Sequence, residues 1–106
     1  MPKYLIAASY TQQGLQGVMR EGGTARRSAL EKAVQGAGGK LEAFYFSFGD
    51  HDVYLICDLP DNASMASVAL AAGAAGGATT KTIVLLTPEE LDEATRKSVD
   101  YRPPGS

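Results

Sequence analysis

Asp50, His51 and Asp52 stand in a row, carrying the chain's only histidine, and its only cysteine, Cys57, follows shortly after. Carboxylates beside an imidazole are the donor types of a metal site or of acid–base chemistry, because imidazole binds metals and titrates near neutral pH. Successive side chains of an extended segment point to opposite faces, however, so these three cannot converge on one ion. No second histidine exists to complete a site, and no metal is expected. His51 stays open between a weak acid or base candidate and an ordinary surface histidine at a hairpin. For Asp52 the plainer reading is structural, a short carboxylate that accepts from backbone amides around a turn. Gly49, just ahead of it, reads as the residue that lets that turn take a positive φ.

Other chemistry-bearing residues are scattered. Cys57 lies beside Ile56 in an apolar run, which describes a buried, inert thiol rather than a nucleophile with an activating base. Arg26 and Arg27, in "TARRSA", are placed either to clamp an anion by bidentate contact or to lie along a helix edge with their stems over apolar surface. Tyr4, Tyr10, Tyr45 and Tyr54 fall in strand-like runs. They either line a pocket between sheet and helices or pack with their hydroxyls reaching water. Arg26, Arg27, Tyr45, His51 and Tyr54 form the candidate set for a small apolar or anionic ligand. The glycine-rich stretches "GAGGK" and "GAAGGATTKT" lack the spacing of dinucleotide and phosphate loops. Both read as helix stops, so no cofactor is expected.

Bulk properties narrow the function classes. The 106 residues are 44% hydrophobic and 21% charged, as in a folded soluble domain. The net charge is −2 and the pI about 5.3, with no basic run to neutralise phosphates, so nucleic-acid binding is not expected. Nothing approaches the roughly 18 apolar residues of a membrane span. "MPKYLIAASYTQQG" lacks the long apolar run and basic lead-in of a secretion signal. A cytoplasmic protein is the expectation.

Any site must be positioned by the elements around it. "KYLIAASY" is rich in strand formers. Leu15, Val18 and Met19 fit one face of a short helix that "EGG" interrupts. Thr24 is placed to cap a second helix, whose apolar stripe is Leu30, Ala33, Val34 and Ala37. "KLEAFYFSF" alternates as a strand, with Phe44, Phe46 and Phe48 on one face. "HDVYLICDL" is its partner across a tight Gly49–Asp50 hairpin turn. Asp61 or Asn62 caps a third helix that buries Met65, Val68, Ala69 and Ala72, its alanines suited to close approach to a sheet. "TTKTIVLL" is the last strand. "TPEE" has the form of a capping box, with Thr87 as N-cap, Pro88 first in the helix and Glu90 reciprocating. That helix is expected to run to about 99.

The order is β-α-β-β-α-β with a C-terminal helix, an α+β ferredoxin-like arrangement. It predicts a four-stranded antiparallel sheet with helices on one face, as one domain over 1–99 and an extended tail over 100–106. "YLIAA" and "VYLIC" are apolar at odd and even positions alike, so the inner strands want cover on both faces. A second copy's sheet is the expected cover, giving a homodimer. The rival expectation is that the terminal helix or tail folds over that face.

"ASYTQQGLQGVMREGGTARRSALEKAV", "GGKLEAFYFSFGDHDVYLICDLPDN", "TTKTIVLLTPEELDEA" and "YRPPG" together resemble the GYD-domain family of small bacterial proteins. That family is named for a glycine, a tyrosine and an aspartate of its central hairpin. Gly49 and Asp52 match, while His51 occupies the tyrosine's place. The family is similar to the dimeric α/β-barrel superfamily, which implies two sheets packed face to face, and its biochemical function is not established. "GDHDVYLICDLPD" and "TTKTIVLL" are also similar to the effector-binding module of the leucine-responsive regulators, which implies small-ligand binding without DNA. Three functions stand: a small-molecule-binding domain, a cofactor-independent monooxygenase- or isomerase-like enzyme, and a structural or partner-binding subunit.

Overall fold

A computed structural model describes residues 1–106. The elements are β1 (Lys3–Tyr10), α1 (Gln12–Glu21), α2 (Gly23–Gly36), β2 (Lys40–Phe46), β3 (Val53–Asp58), α3 (Asn62–Ala74), β4 (Ala78–Leu85) and α4 (Pro88–Thr95). The strands form one four-stranded sheet in the order β2-β3-β1-β4, antiparallel at every junction. This α+β architecture is consistent with the ferredoxin-like arrangement.

Register divides the residues between two faces. Tyr4, Ile6 and Ala8 of β1 stand opposite Cys57, Leu55 and Val53 of β3, and these six are buried in one core with Val34 of α2 and Met65 and Val68 of α3. The Tyr4 hydroxyl, inside that core, donates to Asn62 Oδ1 at 2.6 Å. Leu41 of β2 joins the same face as Phe44 and Phe46 only because a bulge between Leu41 and Ala43 inserts a residue. The Phe44 and Phe46 rings then meet edge to face with centroids 5.3 Å apart.

The opposite face carries Leu5, paired with Ile56 on one side and Ile83 on the other. Lys3 crosses it to Asp58 at 2.9 Å and to Glu42 at 3.1 Å. The Asp58 contact outweighs desolvation and raises the lysine's pKa. No residue of α4 is buried, so this helix does not shield the face by packing into it.

Several local expectations are revised. Gly22, at φ 83°, precedes α2 as its N-cap without a side-chain bond, so Thr24 is not the cap. Thr11 caps α1 instead, accepting from the Gly14 amide. The Leu15–Val18–Met19 stripe does not reach the core: α1 has no buried residue and Met19 is 85% exposed. The hairpin is not a two-residue turn, since residues 47–52 lie between β2 and β3 and Gly49 has no positive φ. Phe48 falls in this connection, fully exposed. Asp61 does cap α3, accepting from the Ser64 amide and hydroxyl, and these bonds depress its pKa. The Thr87–Glu90 capping box forms as read, though α4 stops at Thr95.

Close approach constrains Gly14. Thr11 donates through its amide to Gly77 O at 3.0 Å and through its hydroxyl to Gly76 O at 2.9 Å. These bonds press α1 against the α3–β4 connection, and a Cβ at Gly14 would stand 1.9 Å from Gly77 O. Gly14→Ala should therefore force a backbone shift and lower stability by about 1–3 kcal/mol in urea unfolding. Gly49→Ala, whose Cβ would meet only Ser47 Oγ at 3.5 Å, should stay within about 0.5 kcal/mol of the parent. Equal midpoints for the two variants would contradict this packing account.

Candidate functional site

A cavity of about 320 Å³ opens between the helix side of the sheet and α1, α2 and α3. Its floor is Ile6 and Ala8 of β1 with Val53 of β3, and its far wall is Val68, Ala69 and Ala72 of α3. A groove of about 510 Å³ between α2 and α3 adjoins it, with Arg26, Leu30, Val68, Ala72 and Ala75 bordering both spaces. The alanines of α3 thus do not bring the helix down onto the sheet, as the sequence suggested. Its position is fixed near its start by Met65 and Val68 in the core and after its end by the Thr11 bonds to Gly76 and Gly77. A helix held at both ends and carrying methyl groups between them leaves a void where larger side chains would fill the layer.

The charged groups gather at the α1–α2 end. Tyr10, last in β1, shares the parity of Ile6 and Ala8 and so faces the cavity, where Arg26 of α2 and Arg20 and Glu21 of α1 join it. Desolvation raises the Tyr10 pKa, opposed by the positive charge of Arg26 and assisted by Asp52 and Glu21, so the phenol stays protonated at neutral pH. Arg26 Nη1 lies 3.4 Å from Glu21 Oε1, a long single contact that leaves most of the guanidinium's donors uncommitted.

Asp52 fixes this end without entering the cavity. Its amide donates to Ala8 O at 2.9 Å, and its carboxylate Oδ2 accepts from the Tyr10 amide at 2.8 Å. The amide it serves belongs to the neighbouring strand and not to the turn, a correction to the sequence reading. Its carbonyl accepts from Ser47 N at 2.8 Å, closing the hairpin connection. Gly49 donates to Ser47 Oγ at 3.1 Å in the same connection.

The five candidate ligand residues do not share one place. Arg26 borders the cavity, whereas the neighbouring Arg27 is exposed and lies outside its lining. His51 Nδ1 is 3.1 Å from Ser9 Oγ, and its ring meets Tyr54 edge to face at 5.8 Å. Ser9 and Tyr54 have the parity of the open face, and Tyr45, paired with Tyr54 and 72% exposed, is there too. Cys57 is completely buried, and burial pushes its thiol up to about 11, with the thiolate disfavoured accordingly. No group of three or more His, Cys, Asp or Glu side chains is arranged to hold a metal ion, and no helix is long and apolar enough to cross a membrane. Residues missed at the cavity are Tyr10 as a member of the set, Arg20 and Glu21. Strand parity was the signal for Tyr10; the helical pair becomes visible only once the α1–α2 turn is placed.

A family model described as GYD domain matches residues 4–95, a span from the first core residue of β1 to the end of α4. No curated protein and no solved structure matches the chain.

Proposed function

We propose that this chain, which belongs to the GYD-domain family, is a small-molecule-binding protein that works as a cytoplasmic homodimer, with one ligand site in each subunit. The observation that carries the binding reading is the cavity over Ile6, Ala8 and Val53: mostly apolar on floor and walls, where Thr80 and Gln13 are the polar exceptions, and charged at one end. That is the make-up of sites that bury a ligand's body and orient it by a few placed groups. Its volume of about 320 Å³ lies at the lower bound for such pockets, which suits a compact molecule.

The homodimer rests on the other face of the sheet. Leu5, Ile56 and Ile83 stand side by side across three strands, and Ile83 is 50% exposed in the single chain. A second copy brought against this row would bury it and give the dimeric α/β barrel implied by the family's resemblance. Along β1 the ion pairs of Lys3 lie on one side of the row and the Ser9–His51 contact on the other, so polar groups flank the apolar strip. A lone free cysteine suits the reducing conditions of a cytoplasm.

Binding is tested by filling the cavity. Ala72→Leu places a larger side chain where the cavity meets the outer groove. It should weaken the binding of the neutral dye N-phenyl-1-naphthylamine by about tenfold or more, with the melting temperature at or above the parent's. Dye affinity unchanged by this substitution would contradict the assignment. Assembly is tested by light scattering: the parent should show about twice the 11.1 kDa chain mass, and Ile83→Glu should shift it toward the single-chain mass with an unchanged circular dichroism spectrum. A parent at the single-chain mass would remove the dimer.

A further inference from the structure

We infer that the ligand of the cavity is a compact monoanion, a carboxylate or similar group on a one- or two-ring apolar body, whose charge is taken by Arg26. This rests on the reading of the cavity as a ligand site and adds its chemical class. The charged residues of the lining are Arg20, Arg26 and Glu21, a net charge of +1. Apart from the uncharged polar residues Gln13 and Thr80, the rest of the lining is apolar or glycine, so the field at the charged end is not diluted by other ionised groups. Arg26 is the less exposed of the two arginines, on the shared edge of cavity and groove, with its side chain 37% exposed.

Arg26 is also incompletely used. Its contact with Glu21 is one nitrogen to one oxygen at 3.4 Å, while a guanidinium offers five N–H donors in a planar fork. A ligand carboxylate can take the remaining edge in a bidentate pair, the stronger and shorter geometry. Tyr10 stands at the same end, its phenol kept protonated by desolvation and close enough to feel the charge of Arg26. A neutral phenol is a donor to a carboxylate and repels none of its charge. Asp52, the other carboxylate that acts on Tyr10, is already held by the Tyr10 amide at 2.8 Å. A cationic ligand would meet two arginines, and a fully apolar one would leave the Arg26 donors and the Tyr10 hydroxyl without partners when it displaced water.

The test is calorimetric titration with 2-naphthoate and with 2-naphthamide, which share a ring system and differ chiefly in charge. The naphthoate should bind about tenfold or more tighter to the parent. Arg26→Gln should abolish that preference, and Arg26→Lys, which keeps the charge without the planar fork, should retain part of it. Ala72→Leu should weaken both ligands. Equal affinities for naphthoate and naphthamide, both weakened by Ala72→Leu, would overturn the anion assignment and leave the cavity standing as a site. A preference for the naphthoate that persists in Arg26→Gln would overturn the role of Arg26. Binding of neither ligand, or affinities indifferent to Ala72→Leu, would overturn the inference and the cavity reading together.

Discussion

Everything in this fold is arranged around the far end of β1, the central strand, which is tied on both sides. On the β4 side the ladder runs to the Tyr10–Ala78 pair, but on the β3 side it stops at Ala8–Val53. Tyr10 would therefore finish the strand with its amide lacking a ladder partner. The Asp52 carboxylate supplies the acceptor at 2.8 Å, a charge-assisted bond stronger than the neutral one it replaces. The next residue, Thr11, is fixed to Gly76 and Gly77. One residue of the hairpin connection and one loop after α3 thus clamp the point where β1 hands over to α1.

The cavity follows from that clamp. With the start of α1 pinned to the loop after α3, and α3 anchored by Met65 and Val68, the helices cannot collapse onto the sheet to close the space over Ile6 and Ala8. Unfilled apolar volume forfeits dispersion contacts along its walls, in a domain small enough for each to matter. A ligand of matching shape restores those contacts. The same clamp aims Tyr10 at the cavity and sets the origin of the α1–α2 turn that brings up Arg20, Glu21 and Arg26. The fold and the proposed site are therefore linked through backbone hydrogen bonds, with Asp52 acting from outside the cavity. The open face of the sheet is governed by register instead, and the cluster of His51 with Ser9 and Tyr54 belongs to it.

The sequence announced the strands and the order of elements because apolar period and turn residues are local signals. Lys3–Tyr10 emerges with the bounds expected, and the Thr87-Pro88-Glu90 box forms because all its parts lie within one turn of helix. Non-local features were hidden. The bulge at Glu42, which brings Leu41 and Phe44 to one face, has no glycine to mark it. Gly49 looked like a positive-φ turn residue, but a longer connection spread the reversal over residues 47–52. Asp52 was read as accepting from amides of the turn, but its partner amide comes from β1, and no spacing rule links the two. Arg26 was visible as a candidate by residue type. Its separation from His51, Tyr45 and Tyr54 depends on which face each strand position occupies, and that is set by register across the sheet.

The clamp at Tyr10 is open to one direct measurement, amide hydrogen exchange in the parent and in Asp52→Ala. The amide of Tyr10 should exchange about tenfold or more faster in the variant, while the amides of Ile6 and Leu55 in the sheet centre keep their protection. Unchanged protection at Tyr10 would contradict the claim that Asp52 holds the end of β1 and, through it, the end of the cavity.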